Sequence, residues 1–200
     1  MRLRYSTTSP FARKVLIIAH ELGLTGRFEL ERTNPRQDAD ALRAVNPLGK
    51  IPALVTDDGT VLYDSNVICE YLDTEFGGNM FPKASSKRWV ALTTAALGDG
   101  IMEAGMLFRG ELARDKAEQS RDAIEWQRAR INTALSKLDE IIPTLDNALT
   151  IDAITGLCAI GYIDFRLPEH GFIERHRNIR PWVNEMSKRP SVAATAPRLS

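Results

Sequence analysis

The sequence predicts an α/β half followed by an all-α half, and three observations carry that prediction. Short strand-like runs flank one amphipathic helical stripe within the first 76 residues. The loop from Asn46 to Leu54 holds two prolines, the second at the mouth of a strand. Beyond about Ser85 every apolar pattern has helical spacing. The pattern breaks at Gly77-Gly78-Asn79-Met80-Phe81-Pro82, which predicts domains at 1–76 and 86–200 joined by a linker at 77–85.

Leu3-Arg4-Tyr5 is a short strand, and Ser6-Thr7-Thr8-Ser9 a hydroxyl-rich loop. Pro10 suits the first helical position, where its missing amide hydrogen costs nothing. Phe11, Val15, Ile18 and Leu22 then form one helical stripe, which Gly23 ends. Arg27-Phe28-Glu29-Leu30 alternates and reads as the second strand, whereas Asn34 to Val45 is polar with weak helical spacing. Pro52 opens the strand Ala53-Leu54-Val55, since proline cannot donate within a central ladder. A cis Ile51-Pro52 bond would turn the Ile51 amide and carbonyl out of the sheet, free to pair with a bound peptide; the alternative is an ordinary strand-initiating proline. Asp57-Asp58-Gly59-Thr60 between Leu54-Val55 and Val61-Leu62-Tyr63 is a hairpin signal. Asp64-Ser65 precedes the helical pattern Val67, Ile68, Tyr71 and Leu72, with Ser65 as N-cap and a first turn whose free amides attract anions.

In the second half, Lys87 to Ala113 and Glu118 to Leu145 are long helical segments. Ile124, Ile131, Leu135, Leu138 and Ile142 give the latter a buried near-heptad stripe. Ile151 to Phe165 is almost wholly apolar, a helix enclosed on all sides and too short to cross a bilayer. Ile179-Arg180-Pro181-Trp182 opens a last helix, and Arg189-Pro190 suggests its end.

Composition narrows the function. With 26 basic and 26 acidic residues the formal charge is zero, so no global field draws nucleic acid or an anionic membrane. The cluster Arg175-His176-Arg177-Arg180 reads as a solvated helix end. The start Met1-Arg2-Leu3-Arg4-Tyr5-Ser6 lacks the apolar run of a signal peptide, so a reducing cytoplasm is expected. Cys69 and Cys158 sit in apolar helical patterns and read as buried thiols. His20, His170 and His176 show no ligand spacing, and no metal is expected. Walker and Rossmann glycine patterns are absent.

The segments NPLGKIPAL (46–54) and LYDSNVICEYLD (62–73), with SPFARKV (9–15) upstream and GYIDFR (161–166) near the C-terminus, resemble the cytosolic glutathione S-transferases. The likeness is to small bacterial members whose first helix opens Ser-Pro-Phe. It implies a thioredoxin-like glutathione-binding domain followed by a helical domain, glutathione as co-substrate, a two-fold homodimer, and a detoxifying transferase that attacks small electrophiles.

Residue by residue, the resemblance implies that the backbone of Ile51 pairs with the cysteinyl part, beside Pro52 as the cis-proline. Asp64 and Ser65 would receive the γ-glutamyl end, Lys50 the glycine carboxylate, with Asn34 a weaker contact. Serine-dependent classes place the thiol-activating hydroxyl two residues before the helix-opening proline, at Thr8; cysteine-dependent members place their thiol directly before it, at Ser9. Ser9 is the first candidate and Thr8 the second. A plain N-cap is the alternative role of Ser9. With no cysteine there, a glutathionyl mixed disulfide at the usual position is unavailable to this chain. The family's Ser/Thr-x-x-Asp box at Thr150 is altered, since Ala153 stands where the acid belongs and Asp152 displaces it; Thr150 is expected to cap by its hydroxyl.

Met102, Met106 and Phe108 are the expected apolar surface for the second substrate, although methionine at helical spacing is commonly core. A fold kept as an interaction module without turnover is the alternative of a different class, and a glutathione-dependent peroxidase or isomerase the alternative within enzymes.

Overall fold

The computed structural model describes residues 1–145 and 149–199, Ser85 by its backbone alone. It contains β1 (Arg2–Tyr5), α1 (Pro10–Glu21), β2 (Glu29–Arg32), α2 (Ala39–Arg43), β3 (Ala53–Val55), β4 (Val61–Leu62), α3 (Ser65–Glu75), α4 (Ser85–Leu112), α5 (Arg121–Ile141), α6 (Ile151–Arg166), α7 (Ile179–Met186) and α8 (Pro190–Ala194). The four strands form one mixed sheet in the order β2-β1-β3-β4, a thioredoxin-like half followed by a helical one. Strand β1 pairs parallel with β2 and antiparallel with β3, which pairs antiparallel with β4. Two compact units result, Met1–Phe81 with Pro190–Ser200, and Pro82–Arg189.

In the first unit the helix α1 starts at Pro10 as its residue type dictates. Its inner face is wider than the stripe read from sequence: Val15, Ile17 and Ile18 are buried, and so is Lys14, at 0% exposure. The second strand begins at Glu29 rather than Arg27, because its register on β1 runs Arg2↔Glu29 to Tyr5↔Arg32 and Thr25–Arg27 forms a 3-10 turn. The hairpin closes as its Asp-Gly signal requires, with Val55 opposite Val61 and Gly59 at φ 86°.

The N-cap of α3 is Asp64, not Ser65: the Asp64 carboxylate accepts from the Asn66 amide at 3.0 Å, and Ser65 is the first helical residue. Both types cap well, and an aspartate one residue upstream takes the role. After α3 the buried carboxylate of Asp73 accepts from the amides of Met80 (2.8 Å) and Phe81 (3.2 Å). That places Met80 and Phe81, two residues of the stretch read as linker, in the first unit's interior.

The C-terminal segment also differs from expectation. Helix α7 ends at Met186, and Pro190 opens α8 instead of closing the last helix. Proline at a helix start has no amide to lose. Residues 190–200 belong to the first unit: Arg13 Nη2 donates to the Val192 carbonyl at 3.3 Å, and the Ser191 hydroxyl donates to Glu21.

In the helical unit α6 is buried at every position from Ile151 to Ile160. Thr150 does not cap it by its hydroxyl, which instead donates to Asp152; Asp152 Oδ1 also accepts from the Ala153 amide at 3.0 Å. Helices α4 and α6 run parallel and very close. A Cβ on Gly98 would lie 3.1 Å from the Thr155 carbonyl carbon, and one on Gly105 would lie 3.1 Å from the Tyr162 ring. Asp139 on α5 fixes the start of α7, accepting from the amides of Asn178 (2.8 Å) and Ile179 (3.1 Å). Among the described residues no helix is long and apolar enough to cross a membrane.

Candidate functional site

The sheet register decides which loops meet. Because β1 and β3 are antiparallel with Arg4 opposite Ala53, the exit of β1 and the entrance of β3 share one end of the sheet. Because β4 runs antiparallel to β3, with Leu54 opposite Leu62, its exit reaches that same end. The parallel partner β2 exits there as well, and the Thr33 amide donates to the Tyr5 carbonyl at 2.9 Å. The segments carrying Thr8 and Ser9, Lys50 and Ile51, Asp64 and Ser65, and Asn34 are therefore gathered at one sheet end of the first unit.

Each loop is held by its own residues. Ile51-Pro52 is a cis peptide, as is Tyr63-Asp64. Ile51 stands outside the β3 ladder, and its amide and carbonyl have no backbone partner among the described residues. The residue that presents it is Asn46, which is almost fully buried: its amide nitrogen donates to the Lys50 carbonyl at 2.8 Å, and its Oδ1 accepts from the Leu48 amide at 3.0 Å. Gly49 adopts φ 62° to complete that turn, a conformation glycine takes without strain. Asn46 was not among the site residues read from sequence. Its signal is an Asx residue immediately before a proline, a turn-initiating pair.

Ser9 is the N-cap of α1, and its Oγ accepts from the Ala12 amide at 3.2 Å. That bond uses a lone pair and leaves the hydroxyl hydrogen free to donate outward. The Thr8 hydroxyl lies 3.5 Å from that of Ser6. Both positions are half-buried. At the α3 start, Ser65 is 2% exposed, its hydroxyl without a hydrogen-bond partner among the described residues, and Asp64 lies at the surface. Helices α1 and α3 are tied by Lys14, whose Nζ donates to Asn66 Oδ1 at 2.8 Å, one residue from Ser65. A buried ammonium so placed fixes the two helix starts relative to each other.

Of the expected contacts, one is engaged in its own turn and one lies at the surface. The Asn34 side chain accepts from the amides of Arg36 (3.0 Å) and Gln37 (3.4 Å), a local turn that engages its carbonyl oxygen. Lys50 is exposed. In the helical unit Met102 and Phe108 are fully buried. Phe108 stacks edge-on against His170 at 4.8 Å and Phe172 at 5.7 Å, beneath the Arg128 guanidinium. Phe108 is thus core, because its ring completes an aromatic cluster; Met106 keeps 36% of its surface exposed. Cys69 and Cys158 are buried and form no disulfide. Among the described residues no group of His, Cys, Asp or Glu could hold a metal ion. At the opposite sheet end, a concavity lined by Met1, Arg27 and Asp57 is occupied by ion pairs of 2.6 and 3.0 Å.

What stands together is a backbone donor and acceptor at Ile51, a carboxylate at Asp64, a helix start at Ser65 and hydroxyls at Thr8 and Ser9. These are the parts needed to hold an extended zwitterionic peptide and polarise a group at its centre.

Known proteins resemble this chain in sequence and fold. The family model for the glutathione S-transferase N-terminal domain matches residues 8–75. An uncharacterized GST-like protein, YibF of Escherichia coli, is 35% identical over 203 residues, covering 98% of each chain. A solved structure of a glutathione transferase family member from Pseudomonas fluorescens, with bound glutathione, is 43% identical with a TM-score of 0.94 over 99% of each chain. A second structure from that organism, with bound S-(propanoic acid)-glutathione, is 42% identical with a TM-score of 0.89 over the whole of each chain.

Proposed function

This chain belongs to the glutathione S-transferase family, and from that premise we propose that it binds glutathione at the sheet end described above and activates its thiol for attack on a small electrophile. The observation that carries the reading is the gathering of unpaired Ile51 backbone, Asp64, Ser65 and the Ser9 hydroxyl at that one end. Glutathione lies extended, its cysteinyl backbone antiparallel to Ile51. Asp64 receives the γ-glutamyl ammonium, while the Ser65 amide and hydroxyl receive the adjoining carboxylate at the positive end of α3. Lys50 faces the glycine carboxylate.

The thiol then meets Ser9. A free thiol has a pKa of about 8.5, and lowering it by two units takes about 2.7 kcal/mol of differential stabilisation. A hydroxyl donating to the thiolate contributes about 1.5–3 kcal/mol, and the α1 start about 0.3–1 kcal/mol. The two together reach the required size without a general base. Ser9 suits the donor role because its oxygen is oriented by the Ala12 amide while its hydrogen is free. Thr8 is the second candidate.

The bound S-(propanoic acid)-glutathione of the 42%-identical relative supports a thioether product, and with it addition or displacement at the sulfur. A homodimer is the proposed assembly, supported by Trp89 and Val90 on α4, exposed at 64% and 66%; light scattering tests it. The proposed compartment is the cytoplasm, in keeping with two buried cysteines that form no disulfide.

Calorimetric titration with glutathione, followed by turnover of a panel of electrophiles, tests the enzyme reading. Failure of both sinks it. Ser9→Ala and Thr8→Ala, measured separately, assign the hydroxyl: the true donor's loss raises the pKa of the bound thiol, seen in thiolate absorbance against pH.

A further inference from the structure

The helical unit brings two unneutralised arginines together where α4 and α6 reach the end of their common seam. The sequence offset that sets Gly98 against Thr155 and Gly105 against Tyr162 is the same at both contacts, so the helices run parallel in register. Carried one turn further, that offset sets Arg109 opposite Arg166. Neither has an ion-pair partner among the described residues; salt bridges within 4.0 Å involve other groups. Asp164, two residues from Arg166, and Glu174 are both engaged by Arg180, at 2.8 Å each.

Arg166 is half-buried, and its Nε is enclosed without a hydrogen-bond partner. Its guanidinium sits over the Phe165 ring at 5.1 Å. Beside it the Tyr162 ring is buried, and the phenol has no hydrogen-bond partner among the described residues. Two arginines and a phenol thus share this end of the seam, and among the described residues none of them has an acceptor. Like charges held together in a partly dry setting repel, and an anion between them removes that cost.

We infer that Arg109, Arg166 and Tyr162 form a binding site for an oxyanion, the carboxylate or phosphate group of a small molecule, within the helical unit. Guanidinium forks match both groups in a bidentate manner, which an ammonium cannot do. The electrostatics agree: burial and then the charge of Arg109 push the Arg166 guanidinium down, while burial pushes the Tyr162 phenol up against the pull of both arginines. The site is separate from the glutathione reading and stands or falls without it.

The test is isothermal titration of the full-length protein with inorganic phosphate and with succinate, at ionic strength held constant with sodium chloride. Saturable binding of at least one is expected. Arg109→Gln and Arg166→Gln should each weaken it by about tenfold or more, as the loss of one charge-assisted pair implies. Arg109 is exposed, so its variant folds; in phosphate-free, low-salt buffer it should melt at or above the wild-type temperature, because a repulsion has been removed. Absence of saturable binding to either probe, or equal binding by the wild type and the doubly substituted protein, overturns the site. Glutathione titrated into the same variants should bind as to wild type, which keeps the two readings distinguishable.

Discussion

Replacing Gly98 by alanine should destabilise the helical unit, although alanine is the better helix former. A Cβ there would lie 2.9 Å from the Thr155 methyl, 3.1 Å from its carbonyl carbon and 3.2 Å from its carbonyl oxygen. The methyl cannot rotate away cheaply, because the buried Thr155 hydroxyl donates to the Ile151 carbonyl at 2.7 Å and fixes the rotamer. The other two contacts are backbone of α6 and cannot yield without moving a helix. Overpacking of this kind costs about 1–3 kcal/mol, and backbone obstruction puts Gly98 in the upper part of that range. Helix propensity returns about 1 kcal/mol. The net expectation is a loss of about 1–2 kcal/mol, or roughly 2–8 °C in Tm for a chain of this size. Gly100, two residues along the same helix, is the control: a Cβ there meets nothing within 4 Å, so Gly100→Ala should stabilise by up to about 1 kcal/mol. Differential scanning calorimetry resolves both, since the two units need not melt together. If Gly98→Ala raises the melting temperature as Gly100→Ala does, the close approach of α4 to α6 is not what the glycine serves.

Asp64→Asn keeps the α3 cap but removes the charge, so stability should hold within about 0.5 kcal/mol by urea melts while glutathione affinity falls about tenfold by calorimetry. Equal affinity would remove Asp64 from the ammonium role. Asp139→Ala strips two amides at the α7 start of their acceptor and should cost about 1–3 kcal/mol in chemical denaturation; an unchanged midpoint would refute the clamp. The hydrogen bond from the Met1 ammonium, with Arg27 nearby, holds the Asp57 carboxyl below its ordinary 3.8. Its contribution is therefore complete above that value and lost as pH falls through the lowered folded one. Carbon-detected titration should show Asp57 among the lower aspartates, and Asp57→Asn should flatten the acid limb of the stability curve.

The parts of this molecule written in local punctuation were readable from sequence. Pro10, Pro52, Gly23 and Asp58-Gly59 each fix a backbone conformation by their own chemistry, so α1, the loop to β3 and the hairpin could be placed without tertiary information. The α3 cap was read as Ser65 and proves to be Asp64, because both residue types cap well and residue type alone does not choose between neighbours. Lys14 was illegible for a different reason. A lysine inside α1 breaks the apolar pattern and makes sense only with Asn66, 52 residues away, in contact. Phe108 had helical spacing consistent with pocket or core, and only His170 and Phe172, supplied by a distant loop, decide for core. Asn46 went unseen because its two bonds lie within its own turn and leave no periodic trace.

The tail from Pro190 has a bearing on how the chain is made. Its bonds to Arg13 and Glu21 span 179 and 170 positions, so the first-synthesised unit lacks a wall until translation has passed Pro190. During elongation the ribosome exposes a nascent sheet and an incompletely covered α1 while the helical segment is still emerging, a window open to chaperones. A chain stopped at Arg189 would keep every residue of the proposed thiol site and yet be caught permanently at that stage of its birth.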